Sequence, residues 1–598
     1  MVTGSMRLIN VHAFLEREKL FDPEKQVELF DPEKPVECQT EVLEWHDDED
    51  SKITYAILSH RWIGTEIHYE EMVDLGKMNT KQQKEIRDRQ GYKKVVATCK
   101  QAEEDNCKWV WVDTCCMDKR NGAELQESMN SMYRWYANAK ICYAYLHDVD
   151  GSSFPDKVDK KYHKSNGRPE WFSRGWTLQE MIAPQILRFF NKDWKPIGDR
   201  KWLAPTLEKI TGVPVNILQH GLEGNRPCIA QIMSWAANRK TKRVEDRAYS
   251  LMGLLDVNMP TVYGEGKKAF HRLQLEIIRS STDQSIFAWG HDSENVRIGS
   301  ILADSPSDFK DCSTMELMEH DEFIEEFPEL SLTGAQDLDV FPITNRGIHI
   351  WMVLRPYPDS NSVFKAYLPC RTHTISKFSR SETYSTIDLV LWNSNYYRYP
   401  STTPREDSPA ELRKVYLRYQ DTPNHTVTFN IDDSAIIDNG FNSHVVPESP
   451  TENTVTLTNA EPFCIKTYSK TAGNACFEVV FGQCMGLDWV RLNNVLLGKI
   501  PSIDVLMRRG PDWALSMADA PSRGDIHGPL RIHHLRLPRL EPTCVVRTYR
   551  IAWERSKIRL RMEVQNPHLQ NGLDEWRVYD VEVSTDFLVH VDYYHHHV

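Results

Sequence analysis

The sequence predicts an α/β fold, in which a parallel sheet flanked by helices carries a helical extension and is followed by a β-rich C-terminal region. Three observations lead to this prediction. Short apolar runs alternate with amphipathic helical segments over residues 55–190, which is typical of βαβ units and a parallel sheet. Residues 200–285 are mainly helical in their periodicity. From about residue 290, alternating segments separated by turn residues indicate antiparallel, sandwich-like strands.

The predicted elements of the α/β part alternate along the chain. Residues 55–59 form an apolar run that predicts a buried strand, and the polar, lysine-rich residues 66–90 predict a helical or looped insertion. Further strands are predicted at 109–113, 141–146 and 186–190, and helices at 92–105, 125–136 and 176–182.

These patterns divide the chain of 598 residues into three parts. We predict an α/β domain at 6–205, its helical extension at 206–290, and a β-rich region of one or two units at 291–598. Within the last part, the segments that predict strands are 341–353, 386–392, 426–431, 454–457, 477–481 and 547–583.

Composition and charge exclude several classes of protein. The net charge is −13 and the pI is near 6.0, so a nonspecific nucleic-acid binder is not expected. The basic cluster at 239–243 is interpreted as a solvated helix end. Thirteen cysteines without a signal peptide predict reduced thiols, and no stretch reaches the ~20 apolar residues of a membrane span. We therefore expect a cytoplasmic protein with no membrane or nucleic-acid partner.

The predicted parallel sheet indicates where a site would lie. In open α/β sheets, ligands bind at the carboxyl ends of the strands, in the loops that follow. The loops in question come after Ser59, after Asp113 and after Leu146. The last of these leads into the predicted helix that carries Glu180.

Three segments carry a family resemblance: YAILSHRWIG at 55–64, WVWVDTCCMDK at 109–119 and WFSRGWTLQEM at 171–181. In this order and spacing they resemble the three blocks of the fungal HET (heterokaryon incompatibility) domain. Residues 243–278 look like the helical segment that usually follows, so the resemblance extends over nearly half the chain. Lys119 departs from the glutamine common in relatives, which leaves the ligand contacts of that loop open. The HET domain is in turn remotely similar to TIR domains in its order of elements.

The second resemblance implies a site and a reaction. In enzymatic TIR domains, the glutamate of a Trp-x-x-x-Glu pattern acts in NAD⁺ cleavage, and Trp176 and Glu180 match that pattern. The resemblance therefore implies Glu180 as the catalytic residue and NAD⁺ as a substrate, and we expect no permanently bound cofactor. No metal is expected either, because no second cysteine or histidine pair stands at ligand spacing near Cys115 and Cys116. The residues placed to contact the ligand are Ser59, His60, Arg61, Trp62, Asp113, Arg174 and Trp176.

Each of these residues also has a structural interpretation. Glu180, taken without the resemblance, is typical of a solvated helix residue, and Arg174 can simply pair with such a carboxylate. The other side chains have packing or turn roles open to them: core packing for Trp62 and Trp176, a loop hydrogen bond for His60, and a turn cap for Asp113.

Two functional hypotheses remain open from the sequence. The first is a protein of heterokaryon incompatibility, programmed cell death and innate-immune-like signalling that acts by TIR-like NAD⁺ glycohydrolysis. The second is a non-catalytic signalling module that acts by self-assembly, as a homo-oligomer or with a protein partner of an incompatibility system, with the C-terminal half as sensor or autoinhibitor. A cysteine hydrolase using Cys115 or Cys116 with His60 is a weaker third idea, because cysteines after a buried strand usually pack.

Overall fold

The computed structural model describes residues 5–19, 40–44, 53–224, 226–290 and 299–327, and then the strands and short segments between 330 and 595 that are named below. The chain divides into two compact units. The first contains residues up to 291 together with 303–317 and 370–383, and the second contains 292–302, 318–369 and 384–598. The domain boundaries proposed from the sequence at 205 and 290 stay predictions.

A mixed sheet of seven strands forms the first unit's framework. In chain order the strands are β1 (Ser5–Asn10), β2 (Thr40–Glu44), β3 (Tyr55–His60), β4 (Trp109–Trp111), β5 (Ile141–Tyr145), β6 (Leu187–Phe190) and β7 (Pro196–Asp199). Across the sheet they lie in the order β2-β1-β4-β3-β5-β6-β7. The four neighbours β4, β3, β5 and β6 are parallel, whereas β1, β2 and β7 pair antiparallel at the two sides. The predicted α/β class with a parallel sheet is thus confirmed.

The central strands are continuous apolar runs because the sheet is covered on both faces. Every residue of β3 and of β5 is buried. Parallel strands buried on both faces need no alternation of apolar and polar residues. This explains why Tyr55–His60 and Ile141–Tyr145 could be recognised as strands from composition rather than from a period of two.

The order of the parallel strands creates a switch point. The chain runs from β3 to β4 on one side, then crosses to the other side of β3 to form β5 and β6. At such a reversal, the connections that leave toward the two sides of β3 cover opposite faces of the sheet. A crevice is left between them, at the carboxyl ends of the two adjacent strands where the order reverses. Here that crevice lies at the ends of β3 and β5, where Ser59, His60 and His147 are found.

Helices and short 3₁₀ turns connect the strands. The helices are α1 (Val11–Lys19), α2 (Tyr69–Asp74), α3 (Thr80–Asp88), α4 (Gln90–Glu104), α5 (Gly122–Asn138) and α6 (Thr177–Ile182), and the 3₁₀ turns are Leu75–Lys77, Lys160–Ser165 and Glu170–Ser173. The start of α5 is fixed by Asn121, whose side chain accepts hydrogen bonds from the backbone N–H groups of Ala123 and Glu124. The helices predicted at 92–105, 125–136 and 176–182 are therefore present.

The following segment is mainly helical, as its periodicity predicts. It contains α7 (Arg200–Thr211), α8 (Val215–His220), α9 (Ile229–Ala236), α10 (Asp246–Tyr249), α11 (Met252–Leu255) and α12 (Lys268–Ser280), with 3₁₀ turns at Gln284–Phe287 and Pro306–Phe309. After these, β8 (Met315–Leu317) pairs antiparallel with residues 370–372. No helix among the described residues is long and apolar enough to cross a membrane.

The second unit is rich in antiparallel strands. Its elements are α13 (His320–Glu325), β9 (Ile348–Pro356), β10 (Val363–Ile375, of which residues up to 369 belong to this unit), β11 (Arg380–Trp392, from 384 onward), β12 (Asn395–Tyr399), β13 (Glu411–Leu417), β14 (Val427–Ile431), β15 (Asn442–Val446), β16 (Thr454–Leu457), β17 (Phe463–Lys470), β18 (Ala475–Cys484), β19 (Leu487–Asn494), β20 (Trp553–Glu554), β21 (Lys557–Gln565), β22 (Arg577–Ser584) and β23 (Val589–His595). Pairings such as β9 with β13 and β17 with β18 are antiparallel, and β12 with β13 is parallel. The predicted β-rich C-terminal region is confirmed, while residues 547–552, 555–556 and 566–576 of its last predicted segment lie outside the described residues.

Candidate functional site

A hydrogen-bonded chain of three side chains lies at the carboxyl end of β3. The indole Nε1–H of Trp171 donates to Ser59 Oγ at 2.8 Å. The Ser59 hydroxyl in turn donates to Glu180 Oε2 at 2.5 Å. This chain joins β3, the 3₁₀ turn at Glu170–Ser173 and helix α6. Strand β3 thus meets a turn and a helix that lie more than a hundred residues further along the chain, at the switch point of the sheet.

Glu180 is a buried carboxyl group, with an exposed fraction of 8%. Burial disfavours its charged form and raises its pKa from 4.5 to about 7, although the Ser59 hydrogen bond and the charge of Arg174 act in the opposite direction. The structural interpretation of Glu180 as a solvated helix residue is therefore wrong. A carboxyl group whose pKa lies near neutrality can exist in both protonation states at physiological pH.

Two arginines lie around the start of α6. Arg174 donates through Nη1 to the backbone oxygen of His60 at 3.3 Å. Arg239 donates through Nη1 to the backbone oxygen of Arg174 at 2.9 Å and to Thr177 Oγ1 at 3.0 Å. Only 5% of Arg239 is exposed, and its Nη2 has no hydrogen-bond partner among the described residues. The interpretation of the 239–243 cluster as a solvated helix end is thus wrong for Arg239, which fixes the segment that leads into Glu180.

His60, Asp113, Trp62 and Lys119 form a second group beside the first. Trp62 donates from Nε1 to Asp113 Oδ2 at 2.9 Å, and His60 Nε2 lies 3.6 Å from Asp113 Oδ1. The Lys119 ammonium lies 3.7 Å from the centroid of the Trp62 ring. Burial is the main cause that lowers the pKa of His60 well below 6.5, and the nearby Lys94 charge acts in the same direction. His60 is accordingly neutral at pH 7.

The loop after β3 is held in place by a buried ion pair. Lys94 of α4 donates to Glu66 Oε1 at 2.6 Å and to the backbone oxygen of Arg61 at 3.1 Å. The same Glu66 oxygen accepts from the backbone N–H of Ile63 at 2.7 Å. Arg61 itself forms an ion pair with Glu170, next to Trp171. The backbone of residues 61–66, which carries Arg61 and Trp62, is therefore anchored at several points.

The structure links most of the predicted site residues, whereas the indole of Trp176 has a hydrogen-bond partner outside this group. Ser59, Glu180, His60 and Asp113 are linked through the contacts above, and Trp62 is joined to them while 39% of its surface is exposed. Trp176 is half-buried at the N-cap of α6, where its indole is a hydrogen-bond partner of Asp246. The indole that is hydrogen-bonded into the Glu180 network is Trp171.

Sequence reasoning missed Trp171, Arg239 and Lys94 as parts of this region. Trp171 stands in the same quoted segment as Glu180, but it lies in a turn, so helical spacing does not pair the two. A lone lysine on an amphipathic helix, such as Lys94, gives no sign that its ammonium is buried. These contacts join residues far apart in sequence.

The cysteines near this region are packed in the protein interior. Cys115 and Cys116 are both buried, and the Cys116 thiol accepts from the backbone N–H of Val112. A hydrogen bond with Cys116 and burial raise the pKa of Cys115 well above 9.0. Reactive cysteines instead have a lowered pKa. No group of three metal-ligating side chains occurs among the described residues.

Comparison with known proteins gives a family match for the part of the chain that contains the first two of the three sequence blocks. The family described as heterokaryon incompatibility protein (HET) matches residues 55–168. The chain carries a HET domain. The match starts with strand β3 and ends before Trp171, so Glu180 lies beyond the matched residues. A domain of unknown function (DUF8212) matches residues 268–300, from α12 onward.

A curated relative extends the similarity beyond the HET match. Vegetative incompatibility protein HET-E-1 of Podospora anserina is 39% identical over 259 residues, which amount to 42% of this chain and 18% of that protein. The chain thus spans less than a fifth of the length of this relative. No solved structure matches the chain.

Proposed function

We propose that this HET-domain protein acts in heterokaryon incompatibility, and that its α/β part cleaves the bond between nicotinamide and ribose in NAD⁺. The match to the HET family and the similarity to a vegetative incompatibility protein support the first statement. The second rests on one observation, the buried Glu180 carboxyl group hydrogen-bonded to Ser59 at the switch point of the sheet. The resemblance to TIR domains assigns the same carboxylate.

The chemistry of the reaction explains why one carboxylate is enough. Nicotinamide in NAD⁺ is a cationic leaving group that departs as a neutral molecule, so no general acid is needed. Positive charge then develops on the ribose, as in glycoside cleavage, and a nearby carboxylate stabilises it. Burial strengthens that stabilisation, because the surrounding dielectric is low. Glu180 is placed to supply this negative charge.

Neighbouring residues have roles that follow from their contacts. Ser59 orients the Glu180 carboxylate, and Arg239 holds the backbone just before it by donating to Arg174 and Thr177. Arg61 follows β3 and Arg174 donates to the backbone oxygen of His60, and guanidinium groups suit the phosphates of a dinucleotide. Programmed cell death and innate-immune-like signalling would follow from depletion of the dinucleotide.

Because ionised Glu180 is the active form, the pH dependence has a fixed direction. The pKa of this carboxyl group is raised to about 7, so the ionised fraction grows as pH increases through that value. We expect the rate of nicotinamide release to rise across about pH 6–8 and then level off. A carboxyl group with an unshifted pKa would already be fully ionised throughout this pH range.

The test is nicotinamide release from NAD⁺ by the purified full chain. Glu180→Gln should lower the rate by about a hundredfold or more, since it removes the charge while keeping the shape. Glu276→Gln on the surface of α12 is the matched control and should leave the rate unchanged. Activity that survives Glu180→Gln in a folded variant would refute the assignment of this residue.

Self-assembly without catalysis is the competing hypothesis. In that case the domain would signal as a homo-oligomer or with a protein partner, and the β-rich C-terminal half would serve as sensor or autoinhibitor. It predicts that Glu180→Gln remains as toxic as the wild type when expressed in fungal cells. NAD⁺ cleavage predicts that the same variant loses toxicity and nicotinamide release together.

A further inference from the structure

The contact between Lys119 and Trp62 points to a site for a cation. The Lys119 ammonium lies 3.7 Å from the centroid of the Trp62 ring and 3.6 Å from Asp113 Oδ2. An aromatic face together with a carboxylate attracts cations through the ring quadrupole and through charge. The Trp62 ring is held in this orientation by its own hydrogen bond to Asp113.

The ammonium group is a poor chemical match for the place that it occupies. Lys119 Nζ is shielded from solvent and makes no hydrogen bond of ordinary length among the described residues, although it lies close enough to Asp113 Oδ2 for an ion pair. Its distance to Asp113 exceeds the ~3 Å of an ordinary N–H···O hydrogen bond. An ammonium carries three N–H donors, and a buried donor without an acceptor is costly. A cation without N–H donors on its charged atom would fit the same surroundings without that cost.

The position of this site relates it to Glu180. Asp113 lies beside His60, and His60 follows Ser59, which donates to Glu180. Both nitrogens of the buried His60 ring lack a hydrogen-bond partner among the described residues, and His60 Nε2 lies 3.6 Å from Asp113 Oδ1, beyond an ordinary hydrogen bond. A ligand on Trp62 would therefore lie beside the residues that end β3.

We propose that Trp62 and Asp113 bind the pyridinium ring of the oxidised dinucleotide, and that the Lys119 side chain fills this site when the ligand is absent. This inference rests on the proposed NAD⁺ cleavage. The ring nitrogen of a pyridinium is alkylated and has no N–H, which is the property that the surroundings of Lys119 favour. A neutral nicotinamide ring lacks the charge and is discriminated against.

Displacement of Lys119 requires rotation of its side chain alone. The backbone on either side is held, since the Asp118 N–H donates to Glu124 Oε1 at 2.9 Å and the Asn121 N–H donates to the Asp118 oxygen at 3.2 Å. The four methylene groups of the lysine can swing outward while this loop stays in place. Lys119 thereby competes with the ligand and lowers its affinity.

The experiment measures binding without catalysis, using 1-methylnicotinamide as the probe. This molecule is a pyridinium without ribose, so it has no bond for the enzyme to cleave. By calorimetry on the full chain, we expect Lys119→Met to tighten its Kd by about tenfold, and Trp62→Leu in that background to remove the gain. Lys119→Gln serves as a second variant if the methionine variant does not fold. Neutral nicotinamide should bind far more weakly than 1-methylnicotinamide to the same variants.

The matched control is Lys161→Met. Lys161 Nζ lies 4.7 Å from the centroid of the Tyr162 ring and 3.8 Å from Asp150, so it has the same kind of contacts elsewhere in the domain. An equal gain in Lys161→Met, no gain in either Lys119 variant, or equal binding of neutral nicotinamide would each overturn the inference. Cation binding of the expected pattern without nicotinamide release would refute the proposed function alone. Nicotinamide release without cation binding at Trp62 would refute this inference alone.

Discussion

The replacement of Glu180 by glutamine should make the protein more stable at alkaline pH. In the folded chain the pKa of this carboxyl group is about 7, against 4.5 for an exposed glutamate. The folded state therefore binds more protons than the unfolded state between these two values, so stability falls as pH rises through that window. Below about pH 4.5 the group is protonated in both states and contributes no such penalty.

The magnitude follows from the two pKa values. A tenfold change in proton affinity corresponds to about 1.4 kcal/mol. A rise of the Glu180 pKa from 4.5 to about 7 therefore lowers the free energy of unfolding by about 3 kcal/mol once the carboxylate is ionised. Glutamine keeps the shape, accepts the Ser59 hydrogen bond and carries no charge. The stability difference between Glu180→Gln and wild type should be near zero at about pH 4.5 and should approach about 3 kcal/mol at about pH 8.

The assay must report on the neighbourhood of Glu180 in the full chain. Urea unfolding followed by hydrogen exchange of the peptides containing Tyr55–His60 and Thr177–Ile182 gives the local free energy at several pH values. Glu276→Gln, on the exposed face of α12, should show no such trend. A constant difference between Glu180→Gln and wild type over this pH range would show that burial does not raise the pKa of Glu180.

Two further predictions concern packing in the same unit. Lys94→Met leaves Glu66 buried without its partner and should lower the free energy of unfolding by about 3–5 kcal/mol. The double variant with Glu66→Leu should recover most of that loss. Urea unfolding measures both variants, and a double variant as unstable as Lys94→Met would contradict the pairing. Gly253→Ala would place a Cβ 2.1 Å from a tyrosine Cβ and should cost about 1–3 kcal/mol despite the helix propensity of alanine. At Gly122 no atom lies within 4 Å of the added Cβ, so Gly122→Ala should leave Tm unchanged or raise it. An equal loss of Tm in both glycine variants would disprove the packing argument.

The sequence was sufficient to predict the α/β elements that are long or buried. The apolar runs at β3 and β5 and the helical spacing of α4 and α5 each have one dominant local pattern, because each element packs against a covered sheet. Strand β1 was not predicted, because the strands that pair with Ser5–Asn10, β2 and β4, both follow much later in the chain. Register between distant segments is set by tertiary contacts that no local window contains.

The candidate site was likewise predicted only in part from the sequence. The rule that sites lie at the carboxyl ends of parallel strands predicted the neighbourhood of Ser59 and Asp113. It did not predict that Trp171 rather than Trp176 is hydrogen-bonded into the Glu180 network, because a 3₁₀ turn places Trp171 under β3. Nor did it predict the burial of Arg239, whose sequence neighbours Lys240 and Lys242 are exposed. Charge clusters in sequence do not reveal which single member turns inward.

The hydrogen-bonded chain from Trp171 through Ser59 to Glu180 has a fixed direction. An indole N–H can only donate, so Ser59 Oγ must accept from it, and its one proton is then given to Glu180 Oε2. While it donates to the carboxylate, the serine hydroxyl cannot also donate to a sugar hydroxyl, and it keeps one lone pair with which to accept. A ligand donor that reaches this carboxylate must either share Oε2 with Ser59 or use the second oxygen, which limits the orientations in which a ribose can be accepted.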